Sequence, residues 1–150
     1  MATYRLLPED KAWLESRLSE LEQKIKDLGP EFHEVLNQSS ETWHDNAPFD
    51  AVRDKQSLLY AEYSHLKFIL LNSHKVSAHS SNSVAIGSHI EMTSGGKTRR
   101  YYVAGDWTHM TGRQNGSGAT VVTAKSPLGE AVIGAKLNQE TKFGVVSLIE

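Results

Sequence analysis

The chain has 150 residues, a formal net charge of -2 and no cysteine. That length allows one compact domain or two small ones. The charge excludes generic coating of nucleic acid, which needs a basic face. The missing cysteines exclude disulfides and thiolate zinc sites and fit a reducing cytoplasm, the expected location.

The charge is unevenly spread. Residues 1–73 hold 8 basic and 13 acidic side chains, and residues 74–150 hold 8 and 5, so the halves carry -5 and +3. Such an asymmetry points to two modules. Met1-Ala2-Thr3-Tyr4-Arg5 lacks the apolar core of a signal peptide. No apolar run approaches the ~20 residues of a membrane helix.

In chain order, Pro8 with Glu9 and Asp10 is a good first helical turn, with proline at N1 and acids at the positive end. Leu14, Leu18, Leu21, Ile25, Leu28, Phe32 and Val35 then follow at alternating spacings of 4 and 3. This is a heptad seam with a period of about 3.5 residues. Gly29-Pro30 predicts a kink or break, because proline removes a hydrogen bond and clashes with the preceding turn. The helix is expected to run on to about Leu36 or Ser40.

A return helix is expected from Phe49 or Asp50, with Val52, Gln56, Leu59, Tyr63, Leu66 and Leu70 as its seam. Two such helices about a short polar turn imply an antiparallel coiled-coil hairpin over residues 1–73, with its tip near 40–48. At about 1.5 Å per residue, ~25–30 residues span roughly 40–45 Å. The turn, Glu41-Thr42-Trp43-His44-Asp45-Asn46-Ala47-Pro48-Phe49, is acidic, and no Lys or Arg lies between Lys26 and Arg53.

Residues 74–83, rich in Ser and His, read as a linker. Beyond it the period changes to 2, and Val84–Met92, Arg99–Val103, Ala119–Thr123 and Phe143–Ile149 read as strands. Ser94-Gly95-Gly96-Lys97 is a turn signal, and Gly112 to Gly118 a loop. Ser126 as N-cap, Pro127 at N1, Glu130 in the first turn and Gly134 as stop predict a short helix. The fold class is therefore α+β, with residues 84–150 forming a small domain of their own. His74, His79 and His89 match no metal-ligand spacing.

These residues resemble the GreA/GreB family of bacterial transcript-cleavage factors, whose tip motif is Gly-Asp-x-x-Glu-Asn-Ala-Glu-Tyr. Asn46 and Ala47 match it, Asp45 replaces its glutamate and Phe49 its tyrosine. Ala51, Arg53 and Gln56 fit the second helix, and Pro30-Glu31 an interruption common in the first. Ser126-Pro127-Leu128 with Val132-Ile133-Gly134 is similar to the family's Ser-Pro-apolar and Leu-Ile-Gly segment.

The resemblance implies an FKBP-like C-terminal domain that docks on RNA polymerase through Ser126, Pro127 and Leu128. It implies a coiled-coil tip that enters the secondary channel, where the nascent RNA 3′ end and DNA are met only within the elongation complex. There Glu41 and Asp45 would help hold a Mg²⁺ of the polymerase, since a weakly bound second metal needs oxygen ligands. The hydrolysis would be the polymerase's own. The factor would then be no enzyme, would have no cofactor besides that Mg²⁺, and would act as a monomer.

Three departures bear on activity. Thr42 stands where the family has its first tip aspartate, and Pro48 where it has a second glutamate. The tip also lacks the basic side chains with which relatives grip the RNA end. Two versions of the function stay open: stimulation of transcript cleavage, and occupation of the channel as a modulator or inhibitor without cleavage. A coiled-coil adaptor unrelated to transcription and a prolyl isomerase are the readings from other classes. Trp43 either folds back on the hairpin seam or stacks on nucleic acid or a channel wall.

Overall fold

The computed structural model describes residues 3–39, 47–76 and 81–150. Its elements are β1 (Tyr4–Leu6), α1 (Pro8–Ser39), α2 (Ala47–Leu71), β2 (Ser73–Lys75), β3 (His89–Ser94), β4 (Lys97–Val103), β5 (Thr120–Val122), α3 (Pro127–Val132), β6 (Glu140–Thr141) and β7 (Gly144–Ile149). The fold is α+β. The chain forms two compact units, one of residues 13–71 and one of residues 1–12 together with 72–150.

In the helical unit, Leu14, Leu18, Leu21 and Leu28 of α1 are buried, as are Leu66 and Ile69 of α2. On α2 the buried position near the C-terminal end is Ile69, one residue before the seam residue Leu70. Among the described residues, three polar pairs link α1 to α2. The Arg17 guanidinium donates twice to the Glu62 carboxylate, at 2.7 and 2.9 Å. Tyr63 Oη donates to Glu22 at 3.0 Å, and Lys55 Nζ reaches Glu31 at 3.3 Å. As the α1 partner advances along the chain the α2 partner retreats, from Glu62 and Tyr63 to Lys55, so the two helices run antiparallel.

The expected break at Gly29-Pro30 does not occur, and α1 runs unbroken through Pro30 over 32 residues, ~48 Å. Gly29 and Pro30 are exposed, and so is Lys26, whose carbonyl loses its partner to the proline ring. Water can satisfy that carbonyl, and Leu28 is buried just before the pair, so the helix continues. α2 begins at Ala47, earlier than the sequence suggests, with Pro48 in its first turn, where a missing N–H costs nothing.

The other unit is built on a five-stranded sheet of order β5-β4-β3-β7-β6. β3 pairs antiparallel with β4 and β7, and β4 parallel with β5. The β3–β4 connection is a two-residue turn in which Gly95 and Gly96 have φ of 59° and 78°. Both need positive φ in this hairpin type, which is why two glycines sit there. Strand alternation sends Val103 to one face and its flanking residues Tyr102 and Ala104 to the other.

The first face packs Val84, Ile90, Met92, Val103 and Val146 against Val132 of α3. The second packs Ala104, Val121 and Ala124 against Ile86 and Leu7, so the chain's beginning closes the sheet's other side. β1 pairs in parallel with β2, joining Tyr4 to Ser73 and Leu6 to Lys75. β2 falls where the sequence suggests a linker. The expected strand over Val84–Met92 forms only from His89. The stretch before it is irregular, yet Val84 and Ile86 are buried there.

Candidate functional site

The short helix α3 follows cap chemistry closely. Ser126 Oγ accepts from Gly129 N at 3.0 Å and donates to the Thr123 carbonyl at 2.7 Å. Pro127 follows at N1 and stays exposed, while Leu128 is half-buried against the core face. Gly129 is required by space, since a Cβ there would run into the Thr123 carbonyl oxygen. The run Ser126-Pro127-Leu128-Gly129 thus fixes a turn that presents Pro127 and part of Leu128 outward.

Beside Leu128 lies a cavity of about 440 Å³, lined by Met92, Lys97, Arg99, Tyr101 and Phe143 as well. Its lining mixes apolar surface with two cations from one strand, β4. A second cavity, of about 420 Å³, lies among residues that include Glu9, Asp10, His89, Tyr102 and Asn115. Here Asp10, 1% exposed, accepts at Oδ1 from Thr108 Oγ1 at 2.9 Å and from His109 N at 3.3 Å. His109 Nδ1 lies 2.7 Å from the same oxygen.

Tyr102 Oη donates to Glu9 at 2.7 Å, and the His89 ring lies 4.3 Å from the Tyr102 ring. Burial first, then the bond to Glu9, raises the Tyr102 pKa well above its ordinary value. The Asn115 amide is oriented by Ser117 N and Ala119 N, both donating to its Oδ1 at 3.0 Å. Its Nδ2 therefore faces His89 Nε2, at 3.2 Å, and donates to it.

A third cluster ties the chain's start to the loop after β4. Arg5 donates from its backbone N, Nε and Nη2 to Asp106, at 2.8, 3.0 and 2.8 Å. The Asp106 side chain is 1% exposed. Burial alone would raise its pKa, but the Arg5 bonds outweigh it and hold the carboxyl below the ordinary aspartate range.

The sequence-predicted site residues are thus divided. Ser126, Pro127 and Leu128 occupy the α3 turn as described. Glu41 and Asp45, with Thr42, Trp43 and His44, lie outside the described residues. His89 lines the second cavity and His74 is exposed on β2. Among the described residues, no group of three or more His, Asp or Glu could hold a metal ion. No described helix is long and apolar enough to cross a membrane.

The clusters around Asp10 and Asp106 escape sequence reasoning, because their partners lie 98 to 101 positions away. Only the placement of Asp10 in a first helical turn was visible, and that is explained locally by the helix dipole.

No protein-family profile matches this chain, and no curated protein matches it. Among solved structures, it is similar to the crystal structure of GreA factor homolog 1 (Gfh1) of Thermus thermophilus. The identity is 16% over 99% of each chain, with a TM-score of 0.49. It is also similar to a structure of the transcription factor Gfh1, with 16% identity over 99% of this chain and 98% of that one, TM-score 0.47. A crystal structure of Thermus aquaticus Gfh1 is 15% identical over 100% of this chain and 99% of that one, TM-score 0.44.

Proposed function

We propose that this chain is a Gre-type regulator of transcript elongation. Its C-terminal unit docks on RNA polymerase, and its two long helices act as a coiled-coil finger that brings residues 41–46 into the secondary channel. The observation that supports this reading is the antiparallel order of the α1–α2 pairs, and the reading puts the acidic segment at the turn between those helices. The cap of α3, at the position of the family's Ser-Pro segment, supports docking through Ser126, Pro127 and Leu128. The α+β unit around it is read as FKBP-like.

At the tip, Asp45 and Glu41 are the carboxylates available to a Mg²⁺ of the polymerase. Thr42, a hydroxyl where the family has its first acid, is a poor ligand for a hard cation. The reading is therefore channel occupation that slows nucleotide addition and supports little cleavage. Full cleavage stimulation is the second reading. It is carried by the spacing of Glu41 and Asp45, which a helical turn would put on one face.

An assay on backtracked polymerase tests both. The first reading expects slowed nucleotide addition, weak transcript cleavage, and a gain of cleavage with Thr42→Asp. Strong wild-type cleavage that drops with Asp45→Ala establishes the second. A chain that changes neither rate removes both.

A further inference from the structure

The cavity beside α3 has a composition that docking at Leu128 alone does not explain. Lys97, Arg99 and Tyr101 alternate along β4 on the face that carries Val103, so they line up on the α3 side of the sheet. At the edge of the core this row meets the buried Met92, the half-buried Leu128 and Phe143, which is 41% exposed. Lys142 extends the basic rim, with its Nζ 5.7 Å from the Phe143 ring centroid.

These cations differ from Arg100 on the opposite face, which pairs with Glu91 at 3.5 Å. Among the described residues, none of Lys97, Arg99 and Lys142 has an acidic partner. Cations without acidic partners beside an apolar floor are complementary to a segment that brings carboxylates together with an apolar side chain. Electrostatic complementarity of this kind sets partner choice and encounter rate. Tyr101 and Phe143 have ring faces on which a base can stack, so nucleic acid is the competing ligand in the test, while Met92 and Leu128 suit an aliphatic or aromatic side chain of a protein segment.

We propose that this groove takes an acidic segment of the partner protein, seating one aliphatic or aromatic side chain between Leu128, Tyr101 and Phe143. Carboxylates on either side of that anchor meet Lys97 and Arg99. The inference rests on the docking reading above and names the chemistry of the surface that docks. Leu128 belongs to both, and the pair Lys97 and Arg99 distinguishes them.

The test is equilibrium binding of the full chain to core RNA polymerase and, in parallel, to a duplex DNA fragment. The variants are Lys97→Glu with Arg99→Glu, Phe143→Ala, and Lys136→Glu as an exposed cation outside the groove. Circular dichroism confirms that each is folded. The expected result is a loss of polymerase affinity of about tenfold or more for the double variant, with a weaker salt dependence. Phe143→Ala weakens binding without changing the salt dependence, and Lys136→Glu binds as wild type.

Wild-type affinity in the double variant overturns the inference while docking stands. Loss of DNA binding with polymerase binding intact overturns it in favour of nucleic acid. A wild-type chain that does not bind polymerase at all removes the docking reading and this inference together.

Discussion

Buried acids in the C-terminal unit keep their charge by pairing, and Asp106 shows how. Its carboxylate is buried, and burial by itself disfavours the charge. The two guanidinium bonds and one backbone bond from Arg5 reverse that preference. Because the native carboxyl titrates below its ordinary value, the pair stabilises the fold above the unfolded value, about 4. That contribution fades as pH falls below it through the lower native value.

Asp106→Ala is expected to cost about 2 kcal/mol at neutral pH, since the Arg5 amide and guanidinium lose a charged acceptor. It should also flatten the acid limb of a stability-against-pH curve from urea titrations. A parallel acid limb in variant and wild type would disprove this. Ser126→Ala is expected to lower stability by ~1 kcal/mol, the worth of an N-cap. Thermal denaturation measures it.

Helices and caps were legible in the sequence because their rules are local. The heptad leucines Leu14, Leu18, Leu21 and Leu28 are buried as their spacing requires, and Ser126 caps α3 as its neighbours require. Of the kink or break expected at Gly29-Pro30, the break does not occur. A proline costs one hydrogen bond, and at an exposed position water can replace it, so α1 continues past residue 30. β1 and β2 were invisible because three residues carry no period; they form only because each finds the other.

The continuous α1 yields its own prediction. A Cβ at Gly29 meets nothing within 4 Å, and the residue is exposed inside a helix. Gly29→Ala should therefore raise stability by ~0.5–1 kcal/mol by removing backbone freedom from the unfolded chain. Chemical denaturation checks it, and a destabilised variant would mean that a local break at residue 29 is used. By contrast Gly129→Ala, where the Thr123 carbonyl blocks the Cβ, should lose ~2 kcal/mol or more.

At the scale of the whole chain, the charge difference between residues 1–73 and 74–150 acquires a structural meaning. The acids are concentrated in the helical unit and in the segment between α1 and α2. The basic excess of the second half includes Lys97, Arg99 and Lys142 around the cavity beside α3. The proposed role needs both: a basic, part-apolar surface that docks, and an acidic turn that enters a metal-bearing channel. What sequence could not reach was the long-range pairing. The Arg5–Asp106 and Asp10–Thr108 contacts make the first residues part of the C-terminal unit, and no local pattern announces them.

The central claim is the destination of residues 41–46. The chain has no cysteine, so Trp43→Cys creates a single thiol for a short crosslinker. With core RNA polymerase, the account predicts crosslinks to the catalytic subunits beside the active-site metal, lost when Lys97 and Arg99 are both reversed to Glu. Crosslinks confined to the polymerase's outer surface, or none under conditions where the two proteins bind, would contradict it.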